Sequence, residues 1–188
     1  LIAATGDDAT EEGVKLALFN LSVQMNTLAS RQEHQATLDA TGFWGKTGAG
    51  CLMMAETTKR ILVPLRGPDV LQPGTWGTWG GAVDINEGPL QAVIREVKEE
   101  GGVDVSLHDI HLLSIYQGPH GFRYYNYLVT VPDEFEPHLD HETTEAQWCT
   151  FPDFPSPLHF GLEALLRNQT AMAVIEKVIA GHHKEEVK

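Results

Sequence analysis

An α/β domain carrying an added N-terminal helix is the fold class this sequence predicts, on three observations. The segment from Glu11 to Leu38 has no Pro and a single Gly, and apolar residues recur along it at helical spacing. Short runs rich in β-branched and aromatic residues, bounded by Gly, Pro and Asp, read as strands. Between those runs, Pro89 to Gly102 has a helical apolar stripe with a start signal and a stop signal. With 188 residues the chain can bury one core and still carry an extension. The division expected is an N-terminal helical extension over residues 1–40 and the main domain over 41–188. The chain opens on Leu1 rather than Met, as expected of a processed chain or a part excised from a larger one.

In order, residues 1–10 read as a loose arm. In the long helix Val14, Leu18, Leu21, Met25 and Leu28 repeat at spacings of four and three, a stripe expected to pack on its own domain or on a second copy. Four glycines between Thr41 and Gly50 mark a flexible connector, in which Phe43 and Trp44 either cap the core or stack on a ligand. Cys51–Ala55 and Arg60–Leu65 read as a hairpin, with Arg66 at its end beside Gly67-Pro68. Gly74–Val83 carries Trp76 and Trp79 among glycines. Pro89 suits a first helical position because its missing N–H would have no partner there, and Gly101-Gly102 suits the stop. Ile110–Tyr116 and Phe122–Val131 read as further strands, and the chain from Pro157 to Ala180 as one or two helices. His182-His183 sits in a polar tail, where two histidines are ordinarily surface.

The helix between Pro89 and Gly102 carries an electrostatic problem. Leu90, Val93, Ile94 and Val97 form one face at about 100° per residue, while Glu96, Glu99 and Glu100 crowd beside it in the last turns. Like charges four apart cost about 0.2–0.5 kcal/mol per pair, and acids near a helix C-terminus oppose the dipole by roughly 0.3–1 kcal/mol each. A bound divalent cation removes that cost, and all-oxygen donors suit Mg²⁺ or Mn²⁺.

Charge and composition exclude some classes of function. The net charge of −13 opposes general binding of nucleic acid or of an anionic membrane, so a phosphate-bearing substrate needs locally gathered cations. No apolar run approaches the roughly 18 residues of a membrane span, and no basic-then-apolar leader pattern opens the chain. Two cysteines, Cys51 and Cys149, make no disulfide framework and fit a reducing, cytoplasmic setting.

Gly81, Glu87, Arg95-Glu96-Val97, Glu99-Glu100, Gly102 and Val103 fill every fixed position of the pattern G-x5-E-x7-R-E-U-x-E-E-x-G-U, U being apolar. Over Gly81 to Val103 the chain thus resembles the Nudix hydrolases. The resemblance implies a mixed β-sheet sandwiched between helices, here with an extra N-terminal helix. It also implies hydrolysis of a phosphoanhydride in a nucleoside diphosphate linked to another moiety, such as ADP-ribose or a nucleotide sugar. A nucleoside triphosphate substrate is the alternative, and a domain that binds nucleotide without catalysis is a third reading, opposed by the complete set of acids. Pro119, seventeen positions beyond Gly102, lies one position off a proline of the ADP-ribose-cleaving branch.

Carried over residue by residue, the resemblance makes Glu96, Glu99 and Glu100 metal ligands, with the carbonyl of Gly80 joining them. Glu87 braces the segment or contacts a metal through water, and Arg95 fixes a catalytic glutamate. One more glutamate is expected from the acidic loop ahead of a Trp-containing strand, here Trp148–Phe151: Glu142 first, Glu145 second. The general base is Glu96 or Glu142. Arg66 is a candidate substrate contact, as are Arg123 and Tyr125 on one face of the Phe122–Val131 strand. The expected partners are a small nucleotide and, through the N-terminal helix, a second copy of the chain.

Overall fold

A computed structural model describes residues 8–105, 109–139 and 141–181; the His182-His183 pair lies outside them. Helix α1 (Asp8–Thr41) leads into β1 (Thr47–Ala55), β2 (Ile61–Arg66) and β3 (Trp79–Ala82). Helix α2 (Pro89–Gly101) follows, then β4 (Ile110–Gln117), β5 (Arg123–Val131) and β6 (Thr143–Cys149), and the short helices α3 (Phe160–Leu166) and α4 (Gln169–Ile179).

The strands form one mixed sheet in the order β4-β5-β1-β2-β6, with β3 paired to β1. β1 runs parallel to β5 over its whole length, from Thr47↔Arg123 to Ala55↔Val131, and antiparallel to β2 and β3. Alternate residues of β1 therefore enter two cores. Ala49, Cys51, Met53 and Ala55 pack with Ala92, Val93 and Val97 of α2 on one face. Leu52 and Met54 pack with Leu162, Ala171 and Ile175 of α3 and α4 on the other. The expected sandwich of helices around a mixed sheet is what forms.

Several elements differ from their sequence reading, each for a tertiary reason. β1 begins at Thr47, inside the glycine-rich stretch expected to be a connector, because Gly48 and Gly50 lie under the ring of Tyr124 on β5. A Cβ at Gly50 would stand 2.1 Å from the Tyr124 hydroxyl. The last named strand begins at Thr143 rather than Trp148, since it pairs along β2 as far as Arg66. The apolar stripe of α1 does not pack on the domain: residues 11–29 are all exposed, with Leu18 at 61% and Met25 at 64%. Phe43 and Trp44 are not core residues either, Trp44 being 38% exposed.

Gly80 has the strictest backbone requirement. Its φ is 134°, and a Cβ there would lie 2.2 Å from the Ala49 carbonyl oxygen and 2.4 Å from the Gly50 Cα. Neither neighbour is a flexible side chain, so Gly80→Ala is expected to cost about 2–4 kcal/mol. Thermal denaturation checks this, and a midpoint at or above that of the unsubstituted chain contradicts it.

Candidate active site

Helix α2 is set by local chemistry at both ends. Gly88 is extended, Pro89 opens the helix, and Gly102 closes it in the left-handed region at φ 71°, its N–H bonded to the Lys98 carbonyl at 3.1 Å. Burying Ala92, Val93 and Val97 against the sheet turns the Glu96, Glu99 and Glu100 face to a cleft. Lys98 points elsewhere and pairs with Asp104 at 2.6 Å.

Arg95 ties the acids together. Its Nε and Nη2 donate to the two oxygens of Glu87 at 2.9 and 3.0 Å. Nη1 donates to Glu96 Oε1 at 2.7 Å and Glu99 Oε2 at 3.2 Å, and Nη2 also reaches the Ala82 carbonyl at 3.2 Å. Burial alone would lower its pKa, but the hydrogen bonds to Glu87 and the charge of Glu96 outweigh it and hold the guanidinium above its usual range. Glu87 closes the loop ahead of the helix by accepting the Asp84 N–H at 3.1 Å.

Glu96 is largely enclosed, its side chain 13% exposed. It lies against Gly81, where a Cβ would come within 2.6 Å of its Oε1, which is the physical reason for glycine at that place. Burial pushes the Glu96 carboxyl up to about 7; Arg95 pulls it down, while Glu99 and Glu142 push it further up. Glu100 accepts the Gly80 N–H at 3.1 Å. The Gly80 N–H thus ties β3 to an acid of the site.

Glu142 stands where β6 begins and lines the same cleft, its backbone carbonyl accepting the Gly67 N–H at 2.7 Å. Glu145, the second choice, is exposed on β6 opposite Leu65 and is not among the cleft residues. Arg66 lines the cleft from the end of β2, its Nε donating to the Leu71 carbonyl at 2.7 Å. Burial lowers its pKa, against the opposing charges of Tyr124, Glu100 and Glu142.

Arg123 and Tyr125 require a correction. Strand residues alternate between faces, and it is Phe122, Tyr124 and Asn126 that line the cleft. Arg123 is exposed elsewhere, and Tyr125 packs on the core under α2. The period was readable, but which face met the cleft depended on the pairing of β5 with β1.

Other cleft residues escaped the sequence reading. The Tyr124 hydroxyl lies 3.3 Å from Thr78 Oγ1, and burial pushes its pKa up to about 12. His159 has its pKa lowered to about 4 by burial and by Arg66. The glycines at 48 and 50 were the available signal for Tyr124; nothing in the sequence pointed to His159. The cleft measures about 1190 Å³. One ring group lies on its α1 side, where Phe43 stacks on Phe122 at 4.5 Å, and a second on its α3 side, where His159 meets Phe160 at 4.5 Å.

Among the described residues no three His, Cys, Asp or Glu side chains already converge as a metal-binding group. The geometry explains this, because Arg95 holds Glu96 and Glu99 as its own partners. The donors nonetheless fit a hard divalent cation. All are oxygens, and the raised pKa of Glu96 means that its surroundings favour less negative charge, which a cation supplies. Glu96, Glu99, Glu100 and Glu142 would hold such an ion.

The family model described as "NUDIX domain" matches residues 45–169. A Mycobacterium tuberculosis protein named "Putative 8-oxo-dGTP diphosphatase 3" is 30% identical over 145 residues, covering 71% of this chain and 66% of that protein. "NAD-capped RNA hydrolase NudC" of Pseudomonas aeruginosa is 31% identical over 102 residues, 50% of this chain and 36% of that protein. A crystal structure of a MutT NUDIX hydrolase from Burkholderia pseudomallei superposes with a TM-score of 0.53 at 25% identity, covering 65% of this chain and 95% of that one. The chain thus spans less than two thirds of the length of the two named sequence relatives.

Proposed function

We propose, from the premise that this chain belongs to the NUDIX domain family, that it hydrolyses the phosphoanhydride of a nucleoside diphosphate linked to a second moiety, of the ADP-ribose or nucleotide-sugar kind, releasing a nucleoside monophosphate. The observation carrying the substrate class is the cleft itself. It exceeds the roughly 300–1,000 Å³ of common ligand sites and has ring groups on both its α1 and α3 sides. Two platforms suit a diphosphate bearing a group at each end.

In this reading Glu96, Glu99, Glu100 and Glu142 hold Mg²⁺, or Mn²⁺ in its place. When bound, the ion neutralises phosphate oxygens and acidifies water. The chain's own residues do the rest. Arg95 and Glu87 hold Glu96 and Glu99 in place through charge-assisted hydrogen bonds. Arg66 faces the phosphates, and Glu96 or Glu142 accepts the proton of the attacking water. A nucleoside triphosphate substrate is the second reading, favoured by the likeness to the mycobacterial protein.

The setting proposed is a reducing compartment, the cytoplasm, where the free, buried Cys51 and Cys149 stay thiols. Among the described residues no helix is long and apolar enough to cross a membrane. A homodimer through α1 belongs to the proposal too: from Gly13 to Ser30 the helix carries one charged residue, Lys15, in a chain of net charge −13. There two acidic copies meet with least repulsion.

Incubation with Mg²⁺ and a panel of ADP-ribose, nucleotide sugars, dinucleotides and nucleoside triphosphates, with products resolved by mass, tests the reading. Monophosphate release from the linked diphosphates is the expected result. Cleavage of triphosphates alone moves the assignment to the second reading, and binding without turnover leaves a nucleotide-binding domain.

A further inference from the structure

Helix α1 is exposed along residues 11–29 and is fastened to the domain from Ser30 onward. Ser30 is 2% exposed and His34, one turn on, 6%. Both reach the loop between β3 and α2. Ser30 Oγ accepts the Ile85 N–H at 3.1 Å, and His34 Nε2 stands 3.3 Å from the Val83 carbonyl. Trp44 packs edge-on against the His34 ring at 5.6 Å, and Glu33 pairs with Lys46 at 2.5 Å on another side. The fastened loop is the one that Glu87 closes. The C-terminal half of α1 thus has a defined position beside the acids, and its stripe of Val23, Thr27, Arg31, Gln35 and Leu38 lines the cleft.

Within that cleft the arginines have different commitments. Arg95 is taken up by Glu87, Glu96 and Glu99. Arg66 donates to the Leu71 carbonyl and feels the charges of Glu100 and Glu142. Arg31 has neither an ion pair nor a hydrogen bond to any described residue, yet it lines a cleft otherwise rich in carboxylates. Arg31 is exposed on the docked helix, and an unpaired guanidinium there can receive a planar or tetrahedral oxyanion.

We propose that Arg31 contacts the substrate, binding an oxygen of its phosphate chain, so that the N-terminal helix supplies part of the active site that the family match over residues 45–169 does not contain. This rests on the hydrolase reading above. Ser30 and His34 are positioning residues, holding the helix where Arg31 reaches the cleft.

The test is steady-state kinetics of the full chain at saturating Mg²⁺, on whichever compound of the panel is cleaved best, with Arg31→Ala, Arg31→Lys and Arg31→Glu. Losing a charge-assisted bond is expected to raise KM about tenfold in Arg31→Ala and further in Arg31→Glu, with kcat within about threefold and part of the affinity restored in Arg31→Lys. The dependence of KM on salt should also weaken. An unchanged KM in both Arg31→Ala and Arg31→Glu overturns the proposal, as does a fall in kcat alone. If the unsubstituted chain cleaves nothing, the hydrolase reading has failed separately. Calorimetric titration with ADP then decides on Arg31: binding weakened about tenfold in Arg31→Ala supports the contact, and equal binding removes it.

Discussion

Glu100→Gln should lower kcat by at least about a hundredfold while leaving the chain folded. The amide keeps an oxygen able to accept the Gly80 N–H, now accepted by Glu100 at 3.1 Å, so the link between α2 and β3 survives. What disappears is one negative charge among the acids proposed to hold the metal, and interactions made with charge that develops in the transition state are worth roughly 10²–10³ in rate. The measurement is turnover across a Mg²⁺ titration, beside a thermal denaturation of the same sample. Unsubstituted activity at saturating Mg²⁺ rejects Glu100 as a ligand. A collapsed melting curve would instead assign it a structural role.

Arg95→Ala is expected to damage stability and rate together. Arg95 bonds three carboxylates, and its removal leaves Glu96, 13% exposed, beside Glu87 and Glu99 with no guanidinium between them. Removing one partner of a largely buried pair costs about 3–5 kcal/mol, which for a chain of this size lowers the melting temperature by on the order of 10 °C. Arg95→Lys restores a charge but not the fork that spans Glu87, so it should recover only part of the loss. Millimolar Mg²⁺ should raise the melting temperature of Arg95→Ala, because an ion that binds only the folded chain stabilises it. Melting temperatures of Arg95→Ala and the unsubstituted chain that agree within a degree would refute the role drawn for Arg95.

What was legible in the sequence was what local chemistry decides. Pro89 and Gly102 bounded α2 because a missing N–H and a left-handed φ are properties of single residues, and the stripe of Val93 and Val97 chose the buried face. The acids were visible as an unpaid repulsion in one short helix. The illegible parts were decided by distant neighbours. Gly48 and Gly50 looked like a connector until Tyr124, more than seventy residues later, was seen to occupy the room they leave. The two faces of β5 were readable, but only the pairing Gly50↔Asn126 set which of them met the cleft. In α1 the repeat from Val14 to Leu28 was real, yet apolar side chains such as Leu16 and Phe19 lie off that repeat, and the domain covers neither of them. Ser30 and His34, in the same helix, became notable only when the loop 83–85 was found against them, and Arg31 only when it was found lining the cleft.

The full-length parallel pairing of β1 with β5 also sets an order of assembly. β1 lies in residues 47–55 and its parallel partner in 123–131, whereas β2 and β3 follow β1 closely. A chain emerging at about 5–20 residues per second thus has its antiparallel half available seconds before the central seam can close. Until Tyr124 is made, Gly48 and Gly50 have no aromatic lid, and until Val131 is made the nascent sheet has an open edge along its middle strand.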